Sequence, residues 1–340
     1  VSGTPALLHR GDALHGVDQY ARTIADALGV PVERAPESAD LSAGGSNGRA
    51  ISTSSDDVSA RHLHFTDRLW GVDAEDAARR IERLAASGPV TVTLHDVPQP
   101  SDGPRGFARR TAAYRRVVAA ASGVVCNSEH ERRLLEHALG ENVVANVIPL
   151  PAQPPAPRPD AWAPVDEVAV LGFFYPGKGH REVVDAVALL PADRRPGVVS
   201  LGGASPGHER ELAELAEHAA SSGVRFRSTG FLSVDERDTL VRAVAVPVIA
   251  HQHVSASGSL TDWISAGRRP LTIRSPYFAE MLQLRPGTLT LFDDGDPQVL
   301  AAAIAGLRND PDATWVEPGT ASSPTIRDTA RSYAEWWAAL

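Results

Sequence analysis

Short β-rich apolar runs alternate with longer amphipathic segments along almost the whole chain, and the alternation is interrupted once, by proline. The first series predicts strands at Pro5–His9, Arg61–Phe65, Val90–Leu94, Val124–Cys126 and Val143–Ile148. Helices are expected between them at Val17–Leu28, Ala74–Ala86, Gly106–Ala121 and Glu129–Ala138. Pro151–Pro164 (PAQPPAPRPDAWAP) then places six prolines in fourteen positions. Proline fixes φ and has no N–H to donate, so this stretch continues neither a helix nor a central strand. A second series predicts strands at Val168–Leu171, Gly197–Leu201, Val224–Arg227, Val246–Ala250, Pro270–Ile273 and Thr288–Phe292. Its helices are expected at Arg181–Leu190, Glu209–Ala220, Val234–Val241, Ser259–Ala266 and Pro297–Leu307. Thr325–Leu340 predicts a last helix, carrying Tyr333, Trp336 and Trp337, and the Gly/Ser-rich Leu41–Ser55 reads as a surface loop. Repeated strand–helix alternation implies parallel sheets covered on both faces. The expected class is therefore α/β with two doubly wound domains: residues 1–150, a proline-rich linker at 151–165, residues 166–324, and a helix at 325–340. Open α/β sheets bind ligands beyond the carboxyl ends of their strands. Two such domains facing each other would direct these loops into one cleft.

Charge and composition exclude several functions. The 340 residues carry 33 basic and 42 acidic side chains, a net charge of −9. That balance argues against a nucleic-acid partner, whose phosphates must be neutralised. The single cysteine, Cys126, excludes an intramolecular disulfide and cysteine-based zinc sites. No apolar run approaches the ~18–20 residues of a membrane span, and no charged segment followed by an apolar one opens the chain. A cytoplasmic protein is expected. Of the 33 basic residues, 32 are arginine. A composition rich in Ala, Arg, Gly, Pro and Asp fits a high-GC bacterial genome and explains why lysine is rare. It does not explain where the one lysine lies. Lys178 sits in Tyr175-Pro176-Gly177-Lys178-Gly179, between a predicted strand and a predicted helix. Glycines let backbone N–H groups approach an anion, a helix start adds partial positive charge, and an ammonium is a suitable point charge for a diphosphate.

Other segments have two readings. Ser255–Ser259 leads into Leu260-Thr261-Asp262. Its hydroxyls and amides suit phosphate, and Asp262 suits a ribose diol, but the same residue types cap helices. Arg268 is a candidate for neutralising phosphate. Helix 106–121 carries Arg109, Arg110, Arg115 and Arg116, with Arg105 ahead, and sets Phe107, Thr111, Tyr114 and Val118 on one face. Such a helix either packs on the sheet or docks peripherally on the inner face of an anionic membrane. Three signals are discounted. Asp294-Gly295-Asp296 precedes Pro297 and reads as a helix cap. The pairs His62/His64 and His251/His253 lack companions for a metal site. No GxGxxG fingerprint is present.

Several motifs together, in order, resemble the retaining glycosyltransferases of family 4, whose GT-B architecture has two facing Rossmann-like domains. They are His15-Gly16-Val17-Asp18-Gln19-Tyr20, Thr93-Leu94-His95-Asp96, Val124-Val125-Cys126-Asn127-Ser128-Glu129 and Ile148-Pro149-Leu150. Gly172-Phe173-Phe174-Tyr175-Pro176-Gly177-Lys178-Gly179, Leu201-Gly202-Gly203, Gly230-Phe231-Leu232-Ser233 and the aromatic C-terminal helix follow. The resemblance implies transfer of a sugar from a nucleoside diphosphate to an acceptor hydroxyl, with retention, no metal and no bound cofactor. UDP is expected ahead of GDP or ADP. It assigns catalytic roles to Lys178, His95 and Asp262. It assigns donor contacts to Gly16, Gly172, Gly177, Gly179, Gly230, Phe231, Ser257, Gly258, Ser259, Leu260 and Arg268. The second domain would hold the donor and the first an acceptor: a glycan, a lipid-linked sugar or a small molecule. The chain departs from the family where Phe173 replaces an arginine, Val254 a first glutamate and Asp262 a second. A non-catalytic nucleotide-sugar or glycan binder and a nucleotide-sugar epimerase therefore stay open beside a transferase.

Overall fold

The computed structural model describes residues 4–10, 15–35, 60–140, 142–251, 254–293 and 295–340. Leu41–Ser55, His253 and Asp294 lie outside the described residues. The chain forms two compact units, Val1–Leu150 with Ile326–Leu340, and Pro151–Thr325.

Unit 1 runs β1 (Ala6–His9), α1 (Gly16–Leu28), β2 (Val32–Arg34), β3 (Arg61–Phe65), α2 (Asp67–Trp70), α3 (Ala74–Ala86) and β4 (Val90–Leu94). It continues with α4 (Gly103–Ala120), β5 (Gly123–Cys126), α5 (Glu129–Leu139) and β6 (Asn146–Val147). All strands pair in parallel in the order β2-β1-β3-β4-β5-β6. The helices show why the periodicity was readable. Asp73 caps α3 by accepting from the Asp76 N–H, and Ala74, Ala77, Ala78, Ile81 and Leu84 form its buried stripe. Burying Ile81 and Leu84 contributes roughly 1.5–3 kcal/mol each. β6 is shorter than the expected Val143–Ile148, and Val144 is 88% exposed. β2 and the single-turn α2 were not expected.

Unit 2 runs β7 (Val165–Leu171), α6 (His180–Ala188), β8 (Gly197–Leu201), α7 (Glu209–Ser221), β9 (Phe226–Ser228), α8 (Val234–Ala243) and β10 (Val244–Ile249). It ends with α9 (Gly258–Ser265), β11 (Leu271–Ile273), α10 (Pro276–Leu284), β12 (Thr290–Phe292) and α11 (Pro297–Asn309). The parallel sheet has the order β12-β11-β10-β7-β8-β9. Counted from β7 this is 6-5-4-1-2-3, the Rossmann order, which reverses between β7 and β10. Unit 1 reverses instead between β1 and β3, the flavodoxin-like variant. β10 is buried at every position, as a strand covered on both faces should be. The expected series omitted α10, although Ser275 caps it and Pro276 opens it.

α12 (Ile326–Ala338) belongs to unit 1. Its Tyr333, Trp336 and Trp337 are buried with Leu7, Ile24, Val125 and Ile148. It packs so closely that a Cβ on Gly123 would lie 2.9 Å from the Trp336 ring. The proline-rich stretch, expected as a linker at 151–165, begins where the two units divide and lies down on unit 2. Ala152 N–H donates to Pro324 O at 3.0 Å, Ala156 N–H to Ser265 O at 3.0 Å, and Trp162 Nε1 to Arg242 O at 2.6 Å. Among the described residues, no helix is long and apolar enough to cross a membrane.

Candidate functional site

The loop between β7 and α6 carries Lys178. It is built from backbone that requires glycine at several positions: φ is 104° at Gly172, 88° at Gly177 and 97° at Gly179. At Gly179 a Cβ would lie 2.4 Å from Ala250 O, so the start of α6 presses directly on the end of β10. Gly172 N–H donates to Leu201 O at 3.0 Å and Phe174 N–H to Gly203 O at 2.8 Å, which stitches the loop to the residues after β8. Lys178 is 8% exposed, and its Nζ lies 3.5 Å from where a Cβ on Gly172 would stand. It has no ion-pair partner within 4 Å among the described residues. Burial lowers its pKa from 10.5 to about 8, with the charge of Asp262 acting the other way. A buried cation without a counter-ion among the described residues, at a helix start, can take an anion.

Asp262 lies on α9 and is half-exposed, 3.9 Å from Arg237 of α8. Ser257 accepts from Leu260 N–H at 3.3 Å, and its own N–H donates to Tyr277 Oη at 3.0 Å. Two expectations are corrected here. Leu260 is fully buried and its N–H is taken by the cap, so it offers nothing to a ligand. Ser257 serves as the helix cap and is 2% exposed. The N–H groups of Gly258 and Ser259 are the first two of α9 and have no intrahelical acceptor. No atom lies within 4 Å of a Cβ on Gly258 or Gly230, and Phe231 is 65% exposed. Phe173, which stands where the resembled family has arginine, is also exposed.

Arg268 is not a phosphate ligand, and the expectation is corrected. It is fully buried in a cage of carbonyls: Nη1 donates to Val241 O at 2.9 Å and Val244 O at 2.8 Å, Nη2 to Ala245 O at 3.2 Å, and Nε to Thr314 O at 3.2 Å. Trp162 and Trp315 cover its guanidinium, with ring centroids 5.2 and 4.6 Å away. Burial lowers its pKa to about 9.

In unit 1, Gly16 is the first residue of α1, behind the cap His15, and a Cβ there would meet nothing within 4 Å. His95 follows β4 and is 7% exposed. Both its ring nitrogens are engaged: Nε2 lies 3.0 Å from His64 Nδ1, and Asn127 Nδ2 lies 3.4 Å from Nδ1. Asn127 also donates to Glu131 Oε2 at 3.0 Å. The two hydrogens of Asn127 Nδ2 also face Leu94 O at 2.9 Å, so the amide meets three acceptors and His95 Nδ1 is the most distant of them. Burial depresses His95 to about 3, with His15 adding to the effect, so the ring is neutral. Thr93 Oγ1 joins His62 Nε2 at 3.1 Å and Tyr333 Oη at 2.8 Å, tying this cluster to α12. The sequence marked His62 and His64 as a pair but not as the support of His95. Asp96 adopts φ 53° and is held by Arg110, which also pairs with Asp67 at 3.3 Å and Asp102 at 2.7 Å.

That arrangement also settles the face of α4. Tyr114 and Val117 are fully buried, Phe107 stacks on His137, and Arg116 pairs with Glu82 at 2.6 Å. Of the two readings of this helix, the apolar stripe packs toward the unit's own core, leaving Arg105, Arg109 and Arg115 in solvent.

No family model matches the chain, and no curated protein sequence matches it. Solved structures do. HepE of Anabaena, crystallised with UDP and glucose, is 16% identical over 99% of this chain and 100% of its own, with a TM-score of 0.72. Sucrose-phosphate synthase of Thermosynechococcus elongatus is 16% identical, covers 82% of this chain and 70% of its own, and has a TM-score of 0.58. A UDP-forming trehalose-phosphate synthase of Burkholderia xenovorans is 11% identical over 83% and 73%, with a TM-score of 0.56. The α/β fold is thus that of the GT-B glycosyltransferases.

Proposed function

We propose that the chain transfers a sugar from a nucleoside diphosphate to an acceptor hydroxyl, with retention and without a metal. The observation that carries this is Lys178: the only lysine, buried, without a counter-ion among the described residues, at the point where the strand order of unit 2 reverses. Its ammonium and the first N–H groups of α6 would neutralise charge developing on the leaving diphosphate. Gly172, Gly177 and Gly179 allow the backbone to approach it. Gly258 and Ser259 offer amides, Asp262 accepts from a ribose diol, and Gly230 and Phe231 flank the nucleotide. Unit 2 holds the donor and unit 1 the acceptor. HepE, crystallised with UDP-glucose, supports a UDP-sugar as donor. Gly16 leaves room for a sugar. His95 would meet the sugar through Nδ1, exchanging the long bond from Asn127. This reading makes the protein family 4-like and places it in the cytoplasm.

The test is turnover of a panel of nucleotide sugars with and without acceptors, with the product anomer read by NMR. The expected result is acceptor-dependent UDP release that survives chelation and falls about 100-fold or more in Lys178→Ala. Binding without turnover on any acceptor would assign the fold to a sugar-nucleotide binder. Conversion of the donor without an acceptor would assign it to an epimerase.

A further inference from the structure

The strand order of unit 2 reverses between β7 and β10, so the loops leaving these two strands are neighbours. The contact of Gly179 with Ala250 O brings the start of α6 against the residue preceding His251. Two histidines sit there. His180, first in α6, is 1% exposed, and its Nε2 lies 3.0 Å from Ser200 Oγ. That hydroxyl donates its own proton to Gly202 O at 3.1 Å, so Nε2 of His180 is the donor and Nδ1 is bare. His180 Nδ1 is buried with no hydrogen-bond partner among the described residues. His251 is 6% exposed, and its Nε2 is likewise buried with no partner among the described residues. Both rings feel the Lys178 charge, and His251 also feels His180. Native interiors rarely leave such groups unsatisfied, and an orphan costs about 1–3 kcal/mol. Here two imidazole nitrogens without partners and an ammonium without a counter-ion among the described residues, 5.7 Å from the Tyr175 ring centroid, share one corner at the N-terminus of a nine-residue helix. Asp262, the carboxylate whose charge reaches Lys178, is half-exposed and shared with Arg237.

We infer that His251 is a ligand of the bound anion, donating from Nε2 beside Lys178 so that the corner takes a diphosphate group. This deepens the donor reading and rests on it only for the nucleotide. The exposed Phe173 supplies no charge, and His251 provides the second donor to the anion. The acceptor nitrogen of His180 gains a partner when a water carried in with the anion donates to it.

The test uses the whole chain and inorganic pyrophosphate, followed by titration calorimetry. Wild type is expected to bind it saturably, His251→Ala about tenfold more weakly, and His251→Gln, which keeps an N–H, within about threefold. Arg105→Ala, an exposed arginine of unit 1, is expected to bind as wild type does. Equal affinity in His251→Ala and wild type overturns the inference, as does a wild type without saturable binding. If His251→Ala loses its fold by circular dichroism, the readout moves to the ring-nitrogen resonances of wild type. The His251 signals, identified by their loss in His251→Gln, should shift with the calorimetric midpoint; unmoved signals overturn the inference. Pyrophosphate binding through His251, in a chain that leaves every nucleotide sugar intact, supports the corner and counts only against transfer.

Discussion

Burial disfavours the charged form of Lys178 in the folded chain. Its pKa is about 8 when folded against 10.5 in an unconstrained chain, so the folded state disfavours the ammonium by roughly 3 kcal/mol at neutral pH. Below pH 8 this cost is present in full, because the group is charged in both states. Between pH 8 and 10.5 the unfolded chain holds more protons, so the cost fades as pH rises. Lys178→Met should therefore melt a few degrees above wild type at pH 7, and this advantage should vanish above pH 10.5. A variant that melts lower at pH 7 would show that the ammonium is already compensated. Under the proposed function ligand affinity runs the other way: affinity for the proposed UDP donor should weaken by up to about tenfold per unit once pH rises above 8, and Lys178→Arg should remove that dependence. Lys178 was legible because a unique residue fell on a strand–helix junction. Arg268 and His251 were not. The cage around Arg268 is made by carbonyls 23 to 46 residues away, and the orphaned state of His251 exists only once β10 lies beside β7. In sequence, one looked like a phosphate contact and the other like half of a histidine pair.

At the level of elements, α4 shows that an amphipathic period has two readings and that packing favours the inward one. Its basic and apolar faces were both real, yet the apolar face packs inward. Arg110 is spent on Asp67, Asp96 and Asp102 rather than on an external surface. Removing one partner from a buried ionic cluster is costly because the others stay charged. Arg110→Ala should destabilise unit 1 by about 3 kcal/mol in denaturant titrations. Arg115→Ala, in solvent on the same helix, should stay within about 0.5 kcal/mol. Equal effects would mean that the cluster contributes nothing specific. The boundaries of α3 and β4 were readable to the residue because a side-chain cap and a fully buried run delimit them. β2 was missed because Val32-Glu33-Arg34 has no apolar run to announce it, and its place comes from pairing with β1.

For the whole molecule, the decisive feature is that unit 1 is discontinuous. Leu7, Ile24 and Val125 are buried under Tyr333, Trp336 and Trp337. Deleting 326–340 should abolish the unit 1 transition in calorimetry and leave that of unit 2 in place. Survival of both transitions would show that the helix is dispensable. The two alternating series and their division by proline were legible, because each rests on local composition. The side taken by the proline stretch was not, since its bonds reach to Ser265, Arg242 and Pro324. The discontinuity also bears on the order of biosynthesis. Unit 2 is one uninterrupted segment and has all its parts as soon as residue 325 has left the ribosome. The nascent residues 1–150 emerge earlier, yet wait through the making of 175 more before α12 can cover them. The half of the protein translated first is therefore the half that matures last, and a chaperone acting during translation would find its client surface on β1, α1 and β5.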